Sequence, residues 1–261
     1  MKCLPLHVFY LFFCLLPAGC GLQRPVAVEV PPVVSAEQVT ATLESRSNHW
    51  SMFEAKVSIR AESPKGTFRV RSLVVAELPD KLRLEAYNPF GQTVGVLILE
   101  EGRSLLWIPS EKVVYTAERA KTLVDAFLGV PLPLETIGYS LIAGVPPEQL
   151  GNWEIRRTAS GWTSTARGGR MDWLYTYQFT ASPLAMESIK VLENRWGYEV
   201  LYQPATVLQP TSHPEKIEFR SPQWRMEVEI SRMESVTALG VSAFELTLPG
   251  GIRQVRLEEG R

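Results

Sequence analysis

Phe53-Glu54-Ala55-Lys56-Val57-Ser58-Ile59-Arg60-Ala61 decides the fold class. The odd positions are apolar or small and the even ones polar or charged. A strand turns successive side chains to opposite faces, so this stretch has one face for a core and one for water. The pattern continues outward. From Phe68 the even positions read Phe, Val, Ser, Val, Ala, Leu, and Leu82, Leu84 and Ala86 alternate with Lys81, Arg83 and Glu85. Val94 to Leu99 and Leu105 to Ile108 are apolar on both faces, which predicts strands covered on both sides.

The C-terminal half carries the same period with larger side chains. Trp153 and Ile155 stay in phase. Trp173, Tyr175, Tyr177 and Phe179 form an aromatic face, and Tyr198, Val200 and Tyr202 form another. Ile217 and Phe219 alternate with charges. Trp224, Met226, Val228 and Ile230 alternate with Gln223, Arg225, Glu227 and Glu229. Phe244, Leu246 and Leu248 predict a last short strand. Helical spacing appears in three places. Ser35 and Gln38 fit a capping box ahead of Ala36, Val39 and Leu43. Ala120, Leu123, Val124, Phe127 and Leu128 repeat at the helix period and stop at Gly129; Leu134, Ile137, Leu141 and Ile142 share a second face.

About ten or eleven antiparallel strands are too much sheet to stay flat, so a mainly β (α+β) curled half-barrel is expected. Strand alternation alone fits a barrel with an apolar interior or an inverted, membrane-spanning one. Irregular strand lengths and amphipathic helices between strands favour the first, with helices plugging its mouth. The expected organisation is a signal peptide over 1–19, a cysteine and Pro-rich tether over 20–34, and a single domain over 35–261. Residues after about 236 form an extension.

The N-terminus reads as an export signal. Lys2 is followed by the apolar stretch Leu4 to Leu16, about 13 residues against the ~20 that a membrane span needs. Leu16-Pro17-Ala18-Gly19-Cys20 resembles the bacterial lipobox, with Pro17 where leucine is usual. That resemblance implies a covalent lipid on Cys20. Cys3 and Cys14 lie in the segment to be removed, which leaves Cys20 without an internal disulfide partner. Pro25, Pro31 and Pro32 lie in a stretch that reads as a tether. Gly21, where an aspartate often retains lipoproteins in the inner membrane, implies the outer membrane.

Composition narrows the function. A net charge of −1 argues against a nucleic-acid partner. His49 and His213 are far apart and lack ligand-like neighbours, and no nucleophile elbow, metal-ligand or phosphate-loop pattern occurs. The residues point away from catalysis, cofactors and metals.

Between Tyr87 and Pro147 the chain resembles the LolB family of outer-membrane lipoprotein receptors. The matching pieces are Asn88-Pro89-Phe90-Gly91, Tyr115-Thr116-Ala117, Leu128-Gly129-Val130-Pro131-Leu132-Pro133-Leu134 and Ile142-Ala143-Gly144-Val145-Pro146. Family members usually end near Val236, whereas this chain continues to Arg261. The resemblance implies a monomeric half-barrel with an apolar cavity under a helical lid. Such proteins take lipoproteins from a LolA-like periplasmic carrier and insert them into the outer membrane, binding acyl chains without any cofactor. It places Phe90 on the membrane-contact loop. Candidate cavity or lid residues are Phe127, Leu128, Leu141, Ile142, Trp153, Trp173, Tyr175, Tyr177, Trp224, Met226 and Val228. Two alternatives stay open: a carrier of another lipid or amphiphile, and a filled-barrel scaffold lipoprotein. For any single aromatic, ordinary core packing competes with a role in a ligand wall.

Overall fold

The computed structural model describes residues 34–258 apart from 101, 169–172, 194–195 and 241. Cys20, the signal segment and the tether through residue 33 lie outside the described residues. The chain from Val33 to Arg261 forms one compact unit.

It opens with α1 (Ala36–His49), whose capping box is present: Ser35 Oγ accepts from the Gln38 amide and Gln38 Oε1 from the Ser35 amide. Six strands follow: β1 (Met52–Ser63), β2 (Gly66–Glu77), β3 (Lys81–Tyr87), β4 (Thr93–Glu100), β5 (Arg103–Ile108) and β6 (Val113–Ala117). Three short helices come next, α2 (Ala120–Leu128), α3 (Leu134–Leu141) and α4 (Pro147–Leu150). The chain then adds β7 (Glu154–Arg157), β8 (Gly161–Gly168), β9 (Trp173–Ala181), β10 (Leu184–Glu193), β11 (Trp196–Val207), β12 (Lys216–Arg220) and β13 (Arg225–Ser235). It ends with β14 (Arg253–Arg256).

All the strands lie in one sheet, ordered β14-β6-β5-β4-β3-β2-β1-β13-β12-β11-β10-β9-β8-β7. The sheet is curled and unclosed, with β14 and β7 at its edges. Among the described residues it has 14 strands, not the ten or eleven that the alternation suggests. It is also not wholly antiparallel, since β14 pairs parallel to β6. The strand expected at Phe244 to Leu248 is irregular chain instead.

Period two sorts the two faces as expected. On β1, Phe53, Ala55, Val57, Ile59 and Ala61 are buried, whereas Glu54, Lys56 and Arg60 are exposed. The buried face continues through Val228 and Ile217, which stand level with Ile59 across β13 and β12. Helical residues Val124, Leu134, Tyr139, Leu141, Ile142 and Leu150 belong to the same core. The helices therefore cover the apolar face of the sheet, and the charged face is turned outward, the reverse of a membrane-spanning barrel.

The C-terminal extension explains the strands that are apolar on both sides. Arg83 Nη1 donates to the carbonyls of Ala243 (3.3 Å) and Glu245 (2.9 Å), and Lys81 Nζ sits 5.4 Å over the Phe244 ring. Arg83 stands between Val75 and Ile98 in the ladders, and both are buried although they face outward with it. The extension thus crosses the outer face at β3 and reaches the edge of β6. Ending the chain after Val236 uncovers these two side chains. At about 1.5–3 kcal/mol each, stability should fall by about 3–6 kcal/mol in urea denaturation. A truncated chain as stable as the full one would mean the extension is not structural.

Candidate functional site

Alternation along β9 sets Trp173, Tyr175, Tyr177 and Phe179 in a row on the covered face. Their neighbouring ring centroids lie 6.2–6.5 Å apart. Trp173 meets Tyr198 of β11 at 6.3 Å, and Tyr198 meets Trp224 at 5.9 Å. Met226 and Val228 follow on β13, both buried. Trp153 is half-buried and packs edge-on against Tyr177 and Phe179. The structure thus brings Trp153, Trp173, Tyr175, Tyr177, Trp224, Met226 and Val228 onto one apolar wall.

Helices roof this wall through a few polar links. Tyr177 Oη donates to Gln149 Oε1 of α4 (2.5 Å), and Tyr198 Oη to Thr136 Oγ1 of α3 (2.8 Å). Burial pushes the Tyr177 phenol well above the usual tyrosine range, so it stays protonated and keeps donating. The void between α3 and the wall is about 10 Å³, room for about one water molecule. That void is too small for an acyl chain.

Leu141 and Ile142 are buried at the far end of α3, the end away from the Phe90 turn. There α1 clamps the chain. Arg46, 0% exposed, gives Nε to the Ile142 carbonyl (2.6 Å), Nη1 to Gln209 (2.5 Å) and Nη2 to Ser212 (2.7 Å). Ser47 Oγ donates to the Val145 carbonyl. Phe127 and Leu128 are only half-buried, at the C-terminus of α2. Phe127 packs edge-on against Tyr115 at 4.7 Å. Gly129 ends α2 in the left-handed region at φ +67°, and a side chain there would strike Ser63. Lys65 Nζ donates to the last carbonyls of α2, Asp125 and Ala126, where a cation suits the helix dipole.

The β1–β2 turn and the turn between β3 and β4 mark one rim of the sheet. Phe90 stands at the tip of the second turn, 88% exposed. Asn88 builds that turn: its Oδ1 accepts from the Phe90 and Gln92 amides, and its carbonyl from Gly91, at φ +80°. Phe68, Val94 and Leu192, the other large apolar residues exposed among the described residues, lie at the same end of their strands. Phe90, Phe68 and Val94 cluster on the neighbouring strands β2 to β4, as exposed apolar groups at an interaction surface do, whereas Leu192 lies five strands away on β10.

Residues 48–232 match the family described as outer membrane lipoprotein LolB. The chain belongs to the LolB family. Its fold is also similar to solved structures of low sequence identity. A DUF1329 family protein from Desulfovibrio piger superposes with TM-score 0.56 at 8% identity, over 79% of this chain and 97% of that one. A putative outer membrane lipoprotein-sorting protein domain from Vibrio parahaemolyticus gives 0.53 at 10%, over 81% and 97%. A LolA superfamily protein from Nitrosomonas europaea gives 0.50 at 11%, over 78% and 96%. No curated protein matches the sequence. In this LolB-family chain no described helix is long and apolar enough to cross a membrane.

Reading the sequence alone overlooks Phe68, Gln149, Thr136, Lys65 and Arg46 at this site. Arg46 had a signal: it continues the Val39–Leu43 stripe of α1, so the helix period carries it into the core. The other four give no sequence signal of their own.

Proposed function

We propose that this LolB-family protein is anchored at the outer membrane by lipid on Cys20. There it takes lipoproteins from a LolA-like periplasmic carrier and releases them into the bilayer. The observation that carries this reading is the aromatic wall roofed by short helices that no strand pairing holds. Each exposed CH₂ of an acyl chain costs about 0.8 kcal/mol in water, so transfer between carrier and membrane needs an apolar shelter. The void beneath α3 is about 10 Å³, so there the shelter opens by movement of helices off the wall. α2 is the candidate for that movement: its C-terminus is held by Lys65, an exposed side chain. The chemistry is physical transfer down a series of affinities. No bond is made or broken, and the reading requires neither cofactor nor metal.

The small void favours a second reading, a scaffold lipoprotein whose barrel is permanently filled. A fluorescent fatty-acid analogue separates the two. We expect wild type to bind it, and Val228→Arg to lose at least tenfold in affinity. The arginine places an unpaired charge on the apolar wall, costing several kcal/mol if it stays there. Circular dichroism checks that the variant is folded. A folded wild-type protein that binds no analogue supports the scaffold. The anchor has its own test. Cys20→Ala should move the processed protein from membranes to the soluble fraction, and palmitate labelling of the variant equal to wild type would rule out lipid at Cys20.

A further inference from the structure

Outside the aromatic wall, the strongest feature of the molecule is a groove of about 550 Å³ on the outer face of the sheet, just behind the Phe90 turn. Strand register builds it. Arg71 stands opposite both Ser58 of β1 and Tyr87 of β3, and Arg69 stands opposite Arg60. Pro89, next to Phe90, lines the same groove.

The charges in the groove are unequally committed. Arg60 pairs with Glu62 at 2.5 Å. Glu227 is engaged by Lys216 (3.3 Å) and Arg225 (2.6 Å). Glu229 is separated from Arg71 by the width of β1, roughly 9–10 Å between backbones, about one Debye length in physiological salt. Arg69 and Arg71 are exposed and have no ion-pair partner among the described residues.

We infer that Arg69 and Arg71 form a headgroup site for anionic phospholipid, positioned to hold the Phe90 rim on a bilayer. The inference rests on the proposed meeting of that rim with a membrane and names the lipid it prefers. The dimensions fit. An apolar tip settles about 5–10 Å into the boundary between headgroups and acyl chains. Arg71 is level with Tyr87, three residues before Phe90, so at ~3.3 Å per residue the backbone positions that carry the two arginines lie within about 10 Å of the tip along the strand direction. That is the depth of the phosphates. β2 divides the work by its period: Phe68 faces the side of the wall, while Arg69 and Arg71 face the outer groove. Guanidinium groups suit the task because they bind phosphate oxygens through paired N–H donors.

The test uses the full-length lipoprotein purified from membranes and held in vesicles by its own anchor. An environment-sensitive fluorophore on Val94→Cys, at a rim position that is 41% exposed, reports insertion. The vesicles are pure phosphatidylcholine or an equal mixture with phosphatidylglycerol. We expect insertion to be favoured by the mixture. Losing each arginine should weaken that preference about fivefold, so Arg69→Gln/Arg71→Gln should lose it about 25-fold. Arg69→Lys/Arg71→Lys should keep most of it. Arg156→Gln/Arg232→Gln, the same charge change away from the rim, should leave it intact. Equal insertion in both vesicles, or the same loss in the remote pair, overturns the headgroup site while leaving rim contact standing. Loss of the preference on replacing chloride with inorganic phosphate at matched ionic strength also overturns it, since the ligand is then free phosphate. No insertion into either vesicle overturns the rim contact and, with it, the inference.

Discussion

Phe90→Glu should slow release of acyl-chain cargo into vesicles by roughly ten- to a hundredfold while leaving uptake from the carrier and the melting temperature unchanged. The size comes from burial: inserting a phenylalanine in an apolar phase is worth about 1.5–3 kcal/mol, and the substitution also adds a charge that anionic lipid repels. The selectivity comes from position. Phe90 is 88% exposed and packs on no core, and its turn is closed by Asn88 and Gln92 without help from its side chain. The aromatic wall is built from other strands, so uptake there should not register the change. Phe90→Leu keeps an apolar tip and should be nearly silent. A reconstituted transfer assay with a labelled lipoprotein measures both steps. If Phe90→Glu instead lowers the melting temperature by many degrees, the side chain is structural and membrane contact through it is wrong.

The rim was only partly legible in the sequence. Asn88-Pro89-Phe90-Gly91 announces a turn with an apolar residue at its tip, which is how Phe90 stands out. Phe68, on the same rim, hides inside an alternating strand and reads as one more core residue. Only its exposure, 41% although it stands opposite the buried Ala61, shows that Phe68 lies at the edge of the packed core.

The missed strands failed for identifiable reasons. On β8 the covered positions opposite Tyr175 and Tyr177 are Ala166 and Ser164. Small residues there make room for the β9 rings, so β8 never shows an apolar stripe although Ser164 is fully buried. On β10 a bulge between Met186 and Ser188 shifts the phase, so the covered residues Met186, Ile189 and Val191 lie on both parities. β6 is short and covered on both sides, and β14 is a polar edge segment paired through its backbone and the exposed Arg256–Glu118 ion pair. The extension was legible as alternation, Phe244-Leu246-Leu248, but that pattern serves a strap lying across the sheet. Alternation reports a chain with two unlike sides and does not report whether a neighbouring strand pairs with it. By contrast the ends of α1 and α2 follow local chemistry, a capping box and a left-handed glycine, and the sequence places them correctly.

Arg46→Met should cost about 3–5 kcal/mol of stability and lower the melting temperature by about 10 °C. The guanidinium is fully buried, and the groups that hold it are the carbonyls of Ile142, Gln209 and Ser212 with Ser212 Oγ. Burial lowers its pKa to about 10, with the nearby Tyr202 phenol opposing, so the side chain is still charged at neutral pH. The sign of the shift matters. The unfolded arginine holds its proton more tightly, so this group adds stability only as pH rises above about 10 and carries a desolvation cost at neutral pH. Methionine removes that cost but takes the arginine donor from the Ile142 and Ser212 carbonyls, each worth about 1–3 kcal/mol, and the second effect is larger; the Gln209 carbonyl keeps the Ser212 amide and hydroxyl. Arg46→Lys should rescue little, because a single ammonium cannot match the fork that reaches separate carbonyls on two loops. A loss below about 1 kcal/mol in urea denaturation would falsify the clamp. The same variant asks which helix moves. The clamp fixes the chain at Ile142, directly after α3, so its loss frees that end of the roof over the aromatic wall. At temperatures where both proteins are folded, Arg46→Met should then take up the fatty-acid analogue faster than wild type. Unchanged uptake would assign the opening motion to α2 alone, with α3 a fixed part of the core.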